Sequence, residues 1–360
     1  MEEEKVKRWI RPSILESSSY QVQDATGLIK LDAMENPYRW PDEVKKGWLR
    51  LLENVAINRY PNADAVSLKQ QLRAAFSIPP EQGLLLGNGS DEIIQIIALA
   101  MAAPNFVLLA PEPSFIMYRV IAGMLRATFI GVPLNEKDFS LNTAAMLEAI
   151  KRHHPAVIFI AWPNNPTGNL FDEKAVKEII VNAPGIVVLD EAYQAFSGSS
   201  FMSQLGEYDN LLVMRTLSKL GLAGLRLGFL AGPECWLREF EKLRLPYNVN
   251  TLTQYSCEFI LEHKDILDRQ AARICHDRQL LYEELGLIQG IEVWPSAANF
   301  ILFRTESIGA DDVYNELRRK GVLIKTLHHS HPLLKNCLRV TVGEPGENSQ
   351  CLDYLKNILS

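Results

Sequence analysis

Ala156-Val-Ile-Phe-Ile160 and Ile186-Val-Val-Leu189 are unbroken apolar runs, and a helical pattern over 172–182 lies between them. A strand with one wet face alternates apolar and polar residues; a strand covered on both faces does not. The two runs therefore predict strands of a parallel sheet sandwiched between helices. Working outward, the alternation recurs. Leu84-Leu-Leu leads into a helix near 91–102, Phe106-Val-Leu-Leu into one near 114–126, and Leu211-Leu-Val-Met and Gly228-Phe-Leu-Ala complete the set. Helical patterns at 42–57 and 66–76 precede it. After Pro233 the pattern changes to long helical stretches at 234–245 and 251–286. A smaller mixed unit follows: Glu292-Val-Trp, Asn299-Phe-Ile-Leu-Phe, a helix at 311–320, Leu338-Arg-Val-Thr-Val and a closing helix at 348–358. The expected class is α/β. A large domain (41–245) carries a mostly parallel central sheet flanked by helices, a smaller α+β domain spans 246–360, and an arm (1–40) folds onto the latter.

Composition narrows the function. The chain has 360 residues, 47% hydrophobic and 22% charged, as expected of a globular protein. A net charge of −6 argues against a nucleic-acid partner. Met1 to Arg11 has no apolar core and reads as no secretory signal. Ile93 to Ala110 is uncharged, but Pro104 and Asn105 break it and Asp91 and Glu92 open it; a buried helix followed by a buried strand is expected, not a membrane span. Five cysteines, none in a Cys-x-x-Cys pair, fit a reducing cytoplasm.

Ligands of such sheets sit beyond the carboxyl ends of the strands, where most of the chemically suggestive residues fall. Thr216-Leu-Ser-Lys219 follows a strand and precedes Gly221-Leu-Ala-Gly224-Leu-Arg-Leu-Gly228. Partial burial and the nearby Arg226 would both disfavour the Lys219 ammonium and free its lone pair for a Schiff base. Thr216, Ser218 and Arg226 suit a phosphate dianion. Asp190-Glu-Ala-Tyr193 closes another strand; a carboxylate there can keep a pyridine nitrogen protonated, with Tyr193 reaching the ring's phenolic oxygen. Asn165, in Asn164-Asn-Pro-Thr-Gly168, can share that oxygen. Gly87-Asn-Gly-Ser-Asp-Glu92 lies between strand and helix, where Gly89 permits close approach and Ser90 and the Asp91 amide can donate to a phosphate while the Asp91 carboxylate points away. A dinucleotide fingerprint fails here because Glu92 stands at its third glycine. Each piece alone also has a plain reading: a surface lysine beside a glycine turn, a capping aspartate, a simple turn.

In the second lobe, Lys325 and Arg339 are either solvated cations or an anion site. Arg339, inside an apolar strand, needs an anionic partner. His328-His-Ser-His331 invites a metal, but no matching acidic or cysteine cluster accompanies it, so no metal is expected and a polar loop at the site entrance is preferred.

Asn165, Asp190, Lys219 and Arg226 occur in one order, and that constellation resembles the fold-type I pyridoxal-phosphate aminotransferases over nearly the whole chain. Within them, Leu31-Asp-Ala-Met-Glu-Asn-Pro-Tyr38, Arg59-Tyr-Pro61, Gly89-Ser-Asp-Glu92, Pro113-Ser-Phe-Ile-Met-Tyr118 and Leu338-Arg-Val-Thr-Val-Gly343 resemble the histidinol-phosphate aminotransferase family. The resemblance implies pyridoxal 5'-phosphate as cofactor, with Phe115 stacked on its ring and Lys219 as proton carrier. It also implies a homodimer in which Tyr60 reaches the partner's cofactor phosphate, and a substrate pocket lined by Tyr20, Asn36, Tyr247, Asn250, Lys325 and Arg339. The implied substrates are L-histidinol phosphate, a phosphorylated amino alcohol, and glutamate/2-oxoglutarate. Met34 stands where that family's arm usually has asparagine, and Lys325 where many members have arginine, which keeps the charge but loses the fork. An aromatic aminotransferase, a threonine-phosphate decarboxylase and a non-catalytic cofactor-binding regulator remain as alternatives.

Overall fold

The computed structural model describes residues 2–16 and 22–359. The chain enters through the helices Glu2–Trp9 and Pro12–Leu15 and a two-residue strand, β1 (Ile29–Lys30). Seven strands then build one sheet: β2 (Gly83–Gly87), β3 (Val107–Glu112), β4 (Thr128–Pro133), β5 (Val157–Ala161), β6 (Ile186–Asp190), β7 (Leu211–Thr216) and β8 (Gly228–Gly232). Their spatial order is β2-β8-β7-β6-β5-β3-β4. β4, β3, β5, β6 and β7 run parallel, and β8 runs antiparallel to both its neighbours. The reversal has a simple cause: only the 217–227 link joins β7 to β8, and it contains two 3-10 turns instead of a crossover helix.

The two-residue period of a strand distributes the core. Ile158 and Ile160 pack on one face of the sheet and Val157 and Phe159 on the other, all fully buried. The helix Ser90–Ala100 buries Ile93, Ile94, Ile96, Ile97 and Ala98 against the second face. At roughly 1.5–3 kcal/mol for each fully buried aliphatic side chain, this seating fixes where the helix N-terminus lies.

The second sheet comprises β9 (Ile291–Val293), β10 (Phe300–Thr305), β12 (Lys325–Thr326) and β13 (Cys337–Thr341), while β11 (Val322–Leu323) pairs in parallel with β1. Its order, β12-β13-β10-β9, is antiparallel throughout and sets Arg339 opposite both Leu302 and Lys325. Thr341 also donates its backbone N–H to Leu31, so the arm is bonded to this sheet.

Several elements depart from the sequence reading. β4 and the helix Thr143–His153 were not anticipated, and the stretch 251–286 is two helices, Thr251–Leu261 and Lys264–Gly286. The helix expected to reach residue 57 ends at Leu52. Ile93 to Ala110 divides between a helix and β3, and no helix among the described residues is long and apolar enough to cross a membrane.

Candidate active site

β5, β6 and β7 end side by side, and their carboxyl ends open into one pocket of about 100 Å³. Ten of the residues singled out from sequence line it: Ser90, Asp91, Phe115, Asn165, Asp190, Tyr193, Thr216, Ser218, Lys219 and Arg226; Met34, Ala161 and Ala192 complete the wall. The parallel register supplies the convergence, because each strand end projects its following loop to the same side of the sheet.

Lys219 occupies a 3-10 turn directly after β7, and its Nζ donates to the Ala33 carbonyl (3.1 Å) and lies 5.9 Å from the Tyr193 ring centre. Burial pushes its pKa down to about 8, and Arg339 adds to that; Arg226 contributes less, while Glu35 and Asp91 oppose. The main cationic neighbour is thus supplied by the second sheet, not by the arginine seven residues along.

Asp190 ends β6 with 4% exposure. Its carboxylate accepts from the Tyr118 hydroxyl (2.7 Å) and the Ala192 backbone N–H (3.1 Å). Burial still raises its pKa to about 6, although both hydrogen bonds pull the other way. Neither donor carries charge, so this carboxylate sits in a place that favours a cation across the pocket. The sequence alone assigns Tyr118 no role; its buried ring stacks on Phe159 at 4.7 Å and aims the hydroxyl. Burial and Asp190 hold that hydroxyl well above the usual phenol range.

The anion-binding side combines a helix start with a cation. Gly89 caps the helix Ser90–Ala100 at φ 83, and a Cβ there would stand 2.6 Å from Arg226 Nη2. Gly228 is needed for the same reason: its Cβ would lie 2.7 Å from the Gly89 carbonyl carbon and the Ser90 nitrogen. Arg226 donates to the Ser218 hydroxyl (3.3 Å), which takes a further bond from Thr216 (2.9 Å). The Asp91 carboxylate does not point away as expected; its Oδ2 lies 3.4 Å from Arg226 Nη2, because an acidic residue in a first helical turn is drawn to a facing guanidinium. Glu92 takes the Asn88 N–H (2.6 Å) and the Asn248 amide (2.7 Å), which orders the turn before the helix.

Asn165 links the two lobes. Its Nδ2 donates to the Tyr193 hydroxyl (3.1 Å), and its Oδ1 accepts from Arg339 Nη1 (2.5 Å). Arg339 also donates to the Asp32 carbonyl (3.0 Å) and lies over the Phe300 ring. The half-buried Lys325, its cross-strand neighbour, has its pKa lowered by burial and then by Arg339.

Other expected substrate residues are placed elsewhere within the chain. Asn36 donates to the Leu220 carbonyl and to Gln270 and accepts from the Tyr38 N–H. Asn250 caps the helix Thr251–Leu261 through the Thr253 N–H. Tyr60, 81% exposed, stacks on Tyr247 (4.5 Å), and neither lines the pocket. Tyr20 lies outside the described residues. In the histidine loop the structure supplies the acid that sequence spacing did not: Asp311 accepts from Thr326 (2.8 Å) and meets His329 Nε2 at 2.9 Å. His328 Nδ1 is already taken by the Asn336 N–H (2.9 Å).

The donor set fits pyridoxal 5'-phosphate: a partly buried amine of lowered basicity, a buried carboxylate suited to a pyridinium, Asn165 and Tyr193 for a phenolic oxygen, and a helix N-terminus with Arg226 for a phosphate. Residues 26–355 match the family model for class I and II aminotransferases. The chain is 52% identical to histidinol-phosphate aminotransferase 2 of Nitrosococcus oceani, over 99% of both chains. It is 49% identical to histidinol-phosphate aminotransferase of Chromobacterium violaceum, over 98% of both. Among solved structures, histidinol-phosphate aminotransferase of Sinorhizobium meliloti in complex with pyridoxal-5'-phosphate superposes with a TM-score of 0.86. It is 19% identical, with 98% of this chain and 97% of that one covered, a likeness of fold.

Proposed function

Because this chain belongs to the class I and II aminotransferases, and within them to the histidinol-phosphate aminotransferases, we propose that it moves the amino group of L-histidinol phosphate to 2-oxoglutarate with pyridoxal 5'-phosphate held at Lys219. The observation that carries this reading is the convergence, in one pocket at the ends of β6 and β7, of the Lys219 amine and the buried Asp190 carboxylate with Asn165, Tyr193, Ser90 and Arg226; burial pushes the amine's pKa down and the carboxyl's up. When bound, the cofactor supplies an aldehyde for attachment to an amine and a cationic ring that takes up the electron pair left at the substrate Cα.

The chain's own groups do the rest. Lys219 Nζ would hold the cofactor through its aldehyde carbon and, as a free amine once substrate is bound, would take the proton from the substrate Cα and deliver it to that cofactor carbon; its lowered pKa makes the neutral amine available near neutrality. Asp190, held by Tyr118 and the Ala192 N–H, keeps the ring nitrogen protonated. Asn165 and Tyr193 hydrogen-bond the phenolic oxygen, and Phe115 covers the ring. Thr216, Ser218, Arg226, Ser90, Gly89 and the Asp91 amide hold the cofactor phosphate. Arg339, with Lys325 beside it across the strand pair, receives the anionic end of the substrate.

The active form is a homodimer on this reading. Tyr60 and Tyr247 are stacked and exposed, and Ile57 (75%) and Leu245 (71%) also present apolar surface to solvent. A second copy covering these residues brings Tyr60 to its partner's cofactor phosphate. The five free cysteines suit the reducing cytoplasm, where we place the protein.

Single-turnover spectroscopy tests the assignment. The cofactor-loaded protein is mixed separately with L-histidinol phosphate, phenylalanine and threonine phosphate. Conversion of the cofactor to its aminated form with L-histidinol phosphate is expected. Conversion by phenylalanine alone, or carbon dioxide release from threonine phosphate, overturns the proposal.

A further inference from the structure

Asp190 and Thr216 face the cofactor pocket, so the two-residue period of a strand turns their neighbours Glu191 and Arg215 to the opposite side. There the two form an ion pair whose side chains are 0% and 7% exposed. The Glu191 carboxylate accepts from Arg215 Nε (2.9 Å) and Nη2 (2.7 Å), from the Ser200 hydroxyl (2.9 Å) and from the Phe201 N–H (2.6 Å). Arg215 Nη2 also donates to Ser200 (2.7 Å). The Glu191 N–H bonds to the Met214 carbonyl (2.8 Å), which continues the β6–β7 ladder to the pocket rim. Phe201 packs edge-on against Trp162, whose backbone N–H donates to the Asp190 carbonyl (2.9 Å).

On the reading that this pocket holds pyridoxal phosphate, we propose that Glu191 and Arg215 are positioning residues for it: a buried, self-neutralised pair that locks the ends of β6 and β7 so that Asp190 and Thr216 meet the cofactor from fixed places. Neutralisation matters as much as anchoring. Glu191 is adjacent in sequence to Asp190, whose pKa burial raises most; Tyr118 opposes that rise, and Asp91, on the helix Ser90–Ala100, and then Glu191 add to it. Burial raises the Glu191 carboxyl as well, and Arg215 on β7 is the largest influence opposing that rise. Removing one partner leaves a buried charge that the cofactor's own ionisation then feels; removing both leaves none.

The test is a charge cycle read in the cofactor-loaded protein: Glu191→Gln, Arg215→Met, and the double variant. The readouts are the pH midpoint of the bound cofactor's visible absorbance and the cofactor dissociation constant. At an effective dielectric near ~20, a unit charge roughly 10–15 Å away moves such a midpoint by about one pH unit. Glu191→Gln leaves an extra cation and is expected to move the midpoint down. Arg215→Met leaves an anion and moves it up, by less where Glu191 takes up a proton. The double variant returns to near the wild-type midpoint and binds cofactor more tightly than either single variant. Loss of packing alone lowers the melting temperature of all three and produces no opposed shifts, so unshifted midpoints in soluble single variants overturn the proposal. If Arg215→Met does not fold, Arg215→Lys, which keeps the charge but loses the fork, is expected to hold the wild-type midpoint while binding cofactor more weakly; wild-type affinity in that variant overturns the proposal too. A wild-type protein that takes up no cofactor sinks the reading of the pocket itself, a result distinct from an unshifted variant.

Discussion

Asp190→Asn is expected to stabilise the cofactor-free protein while weakening its grip on the cofactor. The carboxyl sits at 4% exposure with pKa about 6 instead of 3.8, a rise of about two units. At about 1.4 kcal/mol per unit, the folded state carries a cost of roughly 3 kcal/mol once the group is ionised. The sign follows from proton affinity. The folded state binds this proton more tightly than the unfolded chain does, so the favourable contribution is complete below 3.8 and is lost as pH rises through about 6. Asparagine has no such proton and removes the cost without breaking the local bonds. Its oxygen can accept the Ala192 N–H, and its amide can donate to the Tyr118 oxygen, which then changes from donor to acceptor. Urea unfolding of cofactor-free wild type and variant, from about pH 4.5 to about pH 8, should show a variant advantage that grows with pH and levels off at up to about 3 kcal/mol. With cofactor the order reverses, because the pyridinium that offsets the wild-type charge meets a neutral amide in the variant. A variant less stable than wild type at high pH without cofactor refutes the electrostatic account of this carboxylate.

Three further outcomes follow from the geometry. Cofactor uptake by the cofactor-free protein should accelerate with pH to half its maximum near the Lys219 pKa of about 8, measured by stopped-flow absorbance; a midpoint near 10.5 means that the amine is not perturbed. Gly89→Ala forces a left-handed residue and a Cβ against Arg226, and should cost about 1–2 kcal/mol of stability and at least roughly tenfold in cofactor affinity, read by thermal melting and equilibrium titration. Arg339→Lys keeps the charge near Lys219 but loses the fork to Asn165 and Asp32; KM for the phosphorylated substrate should rise about tenfold or more with kcat changed only a few-fold, and a fall in kcat at constant KM contradicts substrate binding by that guanidinium.

The sheet was legible because buried parallel strands write themselves as apolar runs, and β2, β3, β5, β6, β7 and β8 all do so. β4 escaped notice as an edge strand in which only Val132 is buried and which contains Gly131 and Pro133. The division of 251–286 was hidden because no glycine or proline marks it; the break falls at Glu262–His263, where His263 leaves helical geometry at φ −113. Within the pocket, Asp190 could be read because it ends a strand, Asn165 and Lys219 because they follow one within four residues, and Arg226 because it lies in the glycine-rich link after Lys219. Tyr118, which bonds Asp190 from a separate helix, and Glu191 with Arg215, one residue out of phase with the pocket, gave no such signal. Asn36 and Asn250 show the converse: their amides bond other groups within the chain, a use that residue type alone does not reveal.

The most direct test is borohydride reduction of the cofactor-loaded protein followed by peptide mass mapping. The account predicts a single stable cofactor adduct on the peptide carrying Thr216-Leu-Ser-Lys219, at the Lys219 amine. An adduct at any other lysine, Lys325 included, or no adduct from a protein that retains its visible absorbance, contradicts it.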